Sequence, residues 1–198
     1  MVKQDVLFPD IEATSVELEP RGFLYRDEIV TEAEEAELVE SIQHLDLKPF
    51  EFRGYLGNRR VVSFGFKYDY GRRSVEPASQ MPAFLENLLI RVAEFAGTGS
   101  KKFRQVGVNE YRAGAGIGWH KDKQEFGIVV GVSLLASATM RFRRANGTGW
   151  SRVSHTVKPR SIYILNGEAR TEWEHSIPPV RDLRYSITFR TLSNLSRV

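Results

Sequence analysis

With 198 residues, 41% of them hydrophobic and 27% charged, the chain has the make-up of one soluble globular domain and is too short for two comfortable ones. It has no cysteine, which excludes disulfides, thiolate zinc sites and cysteine nucleophiles, so any metal must be held by histidine and carboxylate. The net charge of +3 hides an asymmetry, because residues 1–50 carry 4 Lys/Arg against 13 Asp/Glu and residues 51–198 carry 24 against 12.

Residues 1–20 read as an extended arm with little core of its own. Asp5, Asp10 and Glu12 break any basic-then-apolar leader pattern, and no apolar run approaches a membrane span, so a cytoplasmic protein is expected. Thr31 and Glu34 form a capping box ahead of an apolar helical face of Leu38, Val39, Ile42 and Leu45. A second helix is predicted over 82–96, opened by Pro82 and stopped at Gly97, with Phe84, Leu85, Leu88, Leu89, Val92 and Phe95 as its buried stripe. Both helices should pack outside a sheet. From 102 onward the period changes to short strands, near 103–112, 117–122, 127–136, 139–144, 151–158, 161–166, 173–177 and 184–191. Gly114, Gly116, Gly118, Asn146-Gly147 and Asn166-Gly167 punctuate them. Eight short strands with close turns predict a jelly roll, mainly β with flanking helices.

The chemistry concentrates in His120-Lys121-Asp122. Side chains two apart in a strand point the same way, so both ligand types aim at one centre. Two imidazoles and one carboxylate can occupy one face of an octahedral iron(II) and leave three positions open. The second imidazole can come from His175 or His155; His44 falls on the first helix. The run from Arg184 to Arg190 alternates likewise and supplies inward-facing cations. An arginine fork near iron suits a dicarboxylate co-substrate.

The stretches 109–123 (Asn-Glu-Tyr-Arg-Ala-Gly-Ala leading into Gly-Trp-His-Lys-Asp-Lys) and 184–190 (Arg-Tyr-Ser-Ile-Thr-Phe-Arg) resemble the AlkB family of iron(II)- and 2-oxoglutarate-dependent dioxygenases. The resemblance spans roughly residues 50–192. It implies a double-stranded β-helix core over 102–192 within a single domain 1–198, with 1–50 as an acidic N-terminal extension and 50–73 as a substrate lid. It implies iron(II) on His120, Asp122 and His175, with O2 and 2-oxoglutarate as co-substrates. Asn109, Tyr111, Arg184, Ser186 and Arg190 would then contact 2-oxoglutarate. Two departures stand out. Ser186 replaces a frequent asparagine, and Gln124 stands where nucleobase-repairing members carry an acidic base reader.

The segment 50–73 holds Phe50, Phe52, Tyr55, Phe64, Phe66, Tyr68 and Tyr70, interleaved with Arg53, Arg59, Arg60, Lys67, Arg72 and Arg73. Aromatic faces can stack on a flipped base while cations hold flanking phosphates. Arg59, Arg60, Phe64, Phe66, Tyr68, Arg72, Arg73 and Gln124 are therefore the expected substrate contacts. The plainer alternative is a β-hairpin in which Val61, Val62, Phe64 and Phe66 pack inward and the arginines are solvated. A basic body suits nucleic acid, but the acidic fifth could also neutralise it within the molecule. The resemblance implies oxidative dealkylation of N-alkylated nucleobases. The rivals are the same chemistry on a lipid, protein side chain or other apolar small substrate, and a non-catalytic nucleic-acid-binding module. No obligate protein partner is evident.

Overall fold

The computed structural model describes residues 16–52, 54–72 and 74–193. In chain order it runs β1 (Val16–Leu18), β2 (Phe23–Arg26), α1 (Glu32–Gln43), β3 (Lys48–Phe52), β4 (Tyr55–Phe64), β5 (Phe66–Asp69) and β6 (Ser74–Pro77). α2 (Glu86–Phe95) follows, then β7 (Phe103–Tyr111), β8 (Ile117–His120), β9 (Phe126–Leu134), β10 (Ala138–Asn146), β11 (Gly149–Val157) and β12 (Ser161–Leu165). The last elements are α3 (Gly167–Thr171), β13 (Glu174–Ile177) and β14 (Arg184–Leu192). Each of the eight strands expected after residue 102 is present, displaced by no more than a few residues.

These eight divide four and four. β12-β9-β14-β7 form the centre of a large sheet and β11-β10-β13-β8 a small one, with all pairings antiparallel. This is the jelly roll the turn spacing predicts. The large sheet is wider than the core, because β1 and β2 extend it beyond β12, and β4 and β3 extend it beyond β7. Residues 16–52 are thus built into the sheet and are no appendage. The arm expected over 1–20 lies largely outside the described residues.

Alternation assigns every large-sheet strand an outer and an inner face. Val106 and Val108 on β7, Val130 and Val132 on β9, Ile162 and Ile164 on β12, and Ile187 and Phe189 on β14 are buried outward. They pack under Leu38 and Ile42 of α1 and Leu88 and Val92 of α2. Thr31 caps α1 through the expected box, with its hydroxyl accepting from the Glu34 amide at 3.2 Å and Glu34 accepting from the Thr31 amide at 2.8 Å. The second core, between the sheets, holds Phe23, Tyr111, Met140, Phe142, Leu165, Trp173 and Ile177.

Acidic residues of the first fifth do pair with the basic body. Arg91 binds Glu34, Lys158 reaches Asp27 at 2.7 Å, and Arg160 lies 3.5 Å from Glu35 and 3.7 Å from Glu32. Part of the charge asymmetry is therefore spent inside the molecule. Among the described residues no helix is long and apolar enough to cross a membrane.

Candidate active site

The inner face of the large sheet carries what the outer face cannot. Gln105 and Asn109 on β7, Ser133 on β9, and Arg184, Ser186 and Thr188 on β14 are all buried. A buried polar row costs free energy unless its groups find partners, so its presence marks a site. Beside it, His175 on β13 pairs directly with His120 at the end of β8, and their ring centroids stand 4.2 Å apart. Gly116 permits the irregular pairing there, since a Cβ would meet the Ile177 carbonyl at 2.6 Å.

Asp122 joins the two imidazoles. Its Oδ2 lies 3.6 Å from His175 Nε2, and its Oδ1 accepts from Arg190 Nε at 3.1 Å. Burial alone would raise the Asp122 pKa, but Arg190, with His175 and His120, holds it below the usual carboxylate range. Burial, helped by the neighbouring His120 ring, pushes His175 down to about 3, and burial also lowers His120. Both rings are therefore neutral at neutral pH, the form that binds metal. His120 Nδ1 stands 2.9 Å from the Gly118 carbonyl, which can only accept. Nδ1 therefore carries the proton and Nε2 the free lone pair.

The loop after Asp122 is clamped by α3. Arg170 donates to the carbonyls of Lys123, Phe126 (2.6 Å) and Gly127 (3.2 Å), and Lys121 Nζ donates to the Thr171 carbonyl at 2.9 Å. Sequence reading missed Arg170. Nothing local marks it, because its three acceptors lie more than forty positions away.

The donor set fits iron(II): two neutral imidazoles and an ionised carboxylate, all borderline or hard ligands. Among the described residues no three such side chains are spaced as a finished coordination set, so an ion would have to draw these together. The fit to a dicarboxylate is more direct. Arg184 is fully buried, its Nε donates to Ser133 Oγ at 3.0 Å, and neither terminal guanidinium nitrogen has a partner among the described residues. An unsatisfied buried guanidinium calls for a planar anion. Its guanidinium lies 5.1 Å from the Tyr111 ring centroid. Tyr163, hydrogen-bonded to Ser186, also stands close to this charge. Tyr163 fits because β9 has Gly131 beneath it, where a Cβ would come within 2.1 Å of the phenol ring. Asn109 faces the same side, accepting from Arg59 at 2.7 Å and donating to the Ser186 carbonyl at 3.4 Å. Arg190 also donates to Gln105 at 2.8 Å and Thr188 at 3.0 Å. His155, the alternative ligand, binds the Glu19 carbonyl and lies among Phe23 and Phe142, whereas His120 and Asp122 gather at His175. His44 caps the end of α1.

His120, Asp122, Asn109 and Arg190 open onto a cavity of about 900 Å³. Its wall also includes Phe50, Arg59, Tyr68, Tyr70 and Lys123, and does not include the buried Arg184. Arg59 lies 4.0 Å from the Phe50 ring centroid, and Lys123 Nζ lies 5.1 Å from both tyrosine ring centroids. Of the expected substrate contacts, Arg59 and Tyr68 are here. Arg60 is not, because its neighbour Arg59 faces inward and strand alternation turns Arg60 out. There it binds Glu110 at 3.0 Å and the Leu47 carbonyl at 2.7 Å. Phe64 shares that outward parity and is buried against the helices. Phe66 is buried against Arg104 after the tight turn at Gly65 (φ 74°). The inward packing of Phe64 and Phe66 in the plainer alternative is present, but β4 and β5 do not pair with each other across Gly65, and Arg59 and Arg60 are held by Asn109 and Glu110 and are not simply solvated. Arg72 is exposed 3.8 Å from Glu76, and Gln124 is exposed and off the cavity wall. Arg73 lies outside the described residues.

A jelly roll with two histidines, a carboxylate and a buried arginine at one end defines an oxygenase of the iron and 2-oxo-acid type. The chain matches the family model of the 2OG-Fe(II) oxygenase superfamily over residues 26–190 and belongs to that family, as an AlkB-like member. The family requires Fe(II), 2-oxoglutarate and O2. The chain is 30% identical to the alkylated DNA repair protein ALKBH8 homolog of Arabidopsis thaliana, over 82% of this chain and 52% of that protein. It is 29% identical to the tRNA (carboxymethyluridine(34)-5-O)-methyltransferase ALKBH8 of Mus musculus, over 81% of this chain and 24% of that protein. It is 27% identical to the human alpha-ketoglutarate-dependent dioxygenase alkB homolog 3, over 63% of this chain and 48% of that protein. It thus spans about half or less of these relatives' lengths. The fold is shared with the solved structure of OsALKBH1, at a TM-score of 0.66 and 18% identity, covering 90% of this chain and all of that one.

Proposed function

We propose that this chain hydroxylates an N-alkyl group of a nucleobase and so removes it, with His120, Asp122 and His175 holding iron(II). Bound there, the metal supplies the oxidising power drawn from O2 and 2-oxoglutarate. The protein's own groups do the placing. Arg184 takes the far carboxylate of 2-oxoglutarate as a two-pronged donor, with Ser133 fixing its Nε. Tyr111, Ser186 and Asn109 line the same inner face, and Arg190 keeps Asp122 ionised and oriented. Phe50, Tyr68 and Tyr70 exclude water at the mouth and offer faces to a flipped base. Hydroxylation of an N-alkyl carbon gives a hemiaminal, which loses an aldehyde.

The observation that carries the reading is the fully buried Arg184, whose two terminal nitrogens lack partners among the described residues, in a fold that also brings His120, Asp122 and His175 near one another. The relatives include an alkylated DNA repair protein and a tRNA methyltransferase, which supports nucleic acid as the substrate. The test is a screen of methylated DNA and RNA oligonucleotides alongside fatty acids, read by mass loss and aldehyde release. Turnover of a fatty acid alone would replace the nucleobase and keep the oxygenase. A screen with no 2-oxoglutarate-dependent product would defeat both.

A further inference from the structure

The outward face of the small sheet carries a line of indoles and guanidiniums that the active site does not use. Arg143 on β10 lies 4.5 Å from the ring centroid of Trp119 on β8 and 4.3 Å from that of Trp150 on β11. Arg141 adds a second contact with Trp119 at 5.0 Å. The line crosses all four strands, about 14 Å at ordinary strand spacing. Trp150 is 43% exposed, and α1 and α2 pack on the other sheet, so neither helix covers this face.

Cation–π contacts alone could be a stabilising surface feature, but the charges here are not arranged for stability. Arg143 and Arg152 are direct cross-strand partners, and like charges opposite one another destabilise a sheet. Glu174 answers Arg143 at 2.6 Å. Arg141 donates to Ser176 Oγ at 3.2 Å, and neither Arg141 nor Arg152 has a carboxylate within ion-pair distance among the described residues. Three arginines against one carboxylate, set between two indoles, suit a ligand with both flat rings and negative charge.

We infer that this face binds single-stranded nucleic acid, with bases stacking on Trp150 and Trp119 and phosphates on Arg141 and Arg152. Stacking on aromatic and guanidinium planes beside cations is how single strands are held without reading sequence. The placement gives the surface a use. β8 is the edge strand of the small sheet, Trp119 faces outward from it, and the next residue, His120, faces the site. A strand lying on the outer face can pass over that edge and deliver one nucleotide to the mouth. The inference shares with the proposed function only the premise of a nucleic-acid substrate.

The experiment titrates unmodified, fluorescently labelled single-stranded RNA and DNA 12-mers into the full chain at two salt concentrations, following anisotropy and tryptophan fluorescence. Expected results are quenching of the indole emission, and affinity weakened roughly tenfold by Trp150→Ala. The slope of log affinity against log salt should fall by about 0.7 for each arginine removed in Arg141→Gln and Arg152→Gln. Arg60→Ala, on the outward side of β4 away from this face, should bind the 12-mer as well as the parent chain. Melting curves check folding, and Arg152→Gln, at an exposed position, keeps the test open should Trp150→Ala not fold. Unchanged affinity in folded Trp150→Ala and Arg152→Gln would overturn the inference, as would an acidic peptide competing as well as the oligonucleotide. If these variants dealkylate long oligonucleotides normally, the surface is wrong and the activity stands. If the 12-mer binds this face but no alkylated oligonucleotide is turned over, the activity is wrong and the surface stands.

Discussion

At the closed end of the site, buried and not on the cavity wall, Arg184, Ser133 and Ser186 project from β14 and β9, the middle strands of an eight-stranded sheet. At the mouth, Tyr68 rides on the two-stranded β5–β6 ribbon, and Lys123 sits in the loop held by Arg170. The closed end is fixed by ladders on both sides and is fully buried; the mouth is fixed by ring contacts and one clamp. The closed end therefore suits an invariant ligand such as 2-oxoglutarate. The mouth, cationic and carried partly on a two-stranded ribbon, suits a variable, anionic one. Among the described residues, Lys48, Arg59, Lys67, Lys121, Lys123 and Arg190 line the cavity against Asp46, Glu51 and Asp122.

The largest effect should come from the triad, which serves both ends. Asp122→Ala and His175→Ala should each abolish iron-dependent turnover and weaken iron binding, measured by metal content after dialysis. His155→Ala should leave both unchanged. Full activity in His175→Ala would place the third ligand elsewhere.

Next is the closed end itself. Arg184→Ala should raise the 2-oxoglutarate requirement about ten- to a hundredfold, from charge-assisted bonds worth about 1.5–3 kcal/mol. Arg184→Lys should recover only part of this, because an ammonium lacks the fork. A 2-oxoglutarate titration matching the parent chain in Arg184→Ala would remove the assignment. Gly131→Ala tests the same end without deleting a polar group. Its Cβ would fall 2.1 Å from the Tyr163 ring, so the phenol must shift. Overpacking of this kind costs about 1–3 kcal/mol. The expected result is a lower melting temperature and a higher 2-oxoglutarate requirement, smaller than for Arg184→Ala. A stable Gly131→Ala with normal co-substrate affinity would show that Tyr163 does not shape this end.

The same contrast explains what the sequence makes legible. The closed end was readable because one rule, period-two alternation, carries Arg184, Ser186 and Arg190 to one face and Ile187 and Phe189 to the other. The helices were readable from Thr31, Pro82 and Gly97, which act within one turn. The resemblance, not periodicity, favoured His175 over His155, since both lie on strands and only pairing tells them apart. The mouth was poorly readable because its contacts are tertiary. Phe64 and Phe66 looked like lid aromatics by composition, yet packing claims both. Phe50, Tyr70, Ser133, Tyr163 and Arg170 reach the site or its supports through partners far away in sequence. Alternation, applied strictly at 59–60, would have separated the two arginines in advance.

That pair gives the smallest and most discriminating test. Arg59 and Arg60 are adjacent, similarly half-buried and chemically identical, but they face opposite sides of β4. Arg59 meets Asn109 and Phe50 at the cavity; Arg60 meets Glu110, which also accepts from Arg112 at 2.9 Å and from the Tyr185 hydroxyl at 3.3 Å. Arg59→Ala should therefore weaken oligonucleotide binding and lower its salt slope by about 0.7 if it holds a phosphate. Arg60→Ala should leave the binding slope and KM untouched and cost about 1 kcal/mol of stability, because Glu110 keeps two other donors. Denaturant melts and salt titrations on the two variants read both quantities side by side. Equal loss of binding in both would mean that the strand's outer face also contacts substrate, and the mouth would then extend around β4 beyond the cavity drawn by Phe50, Tyr68 and Lys123.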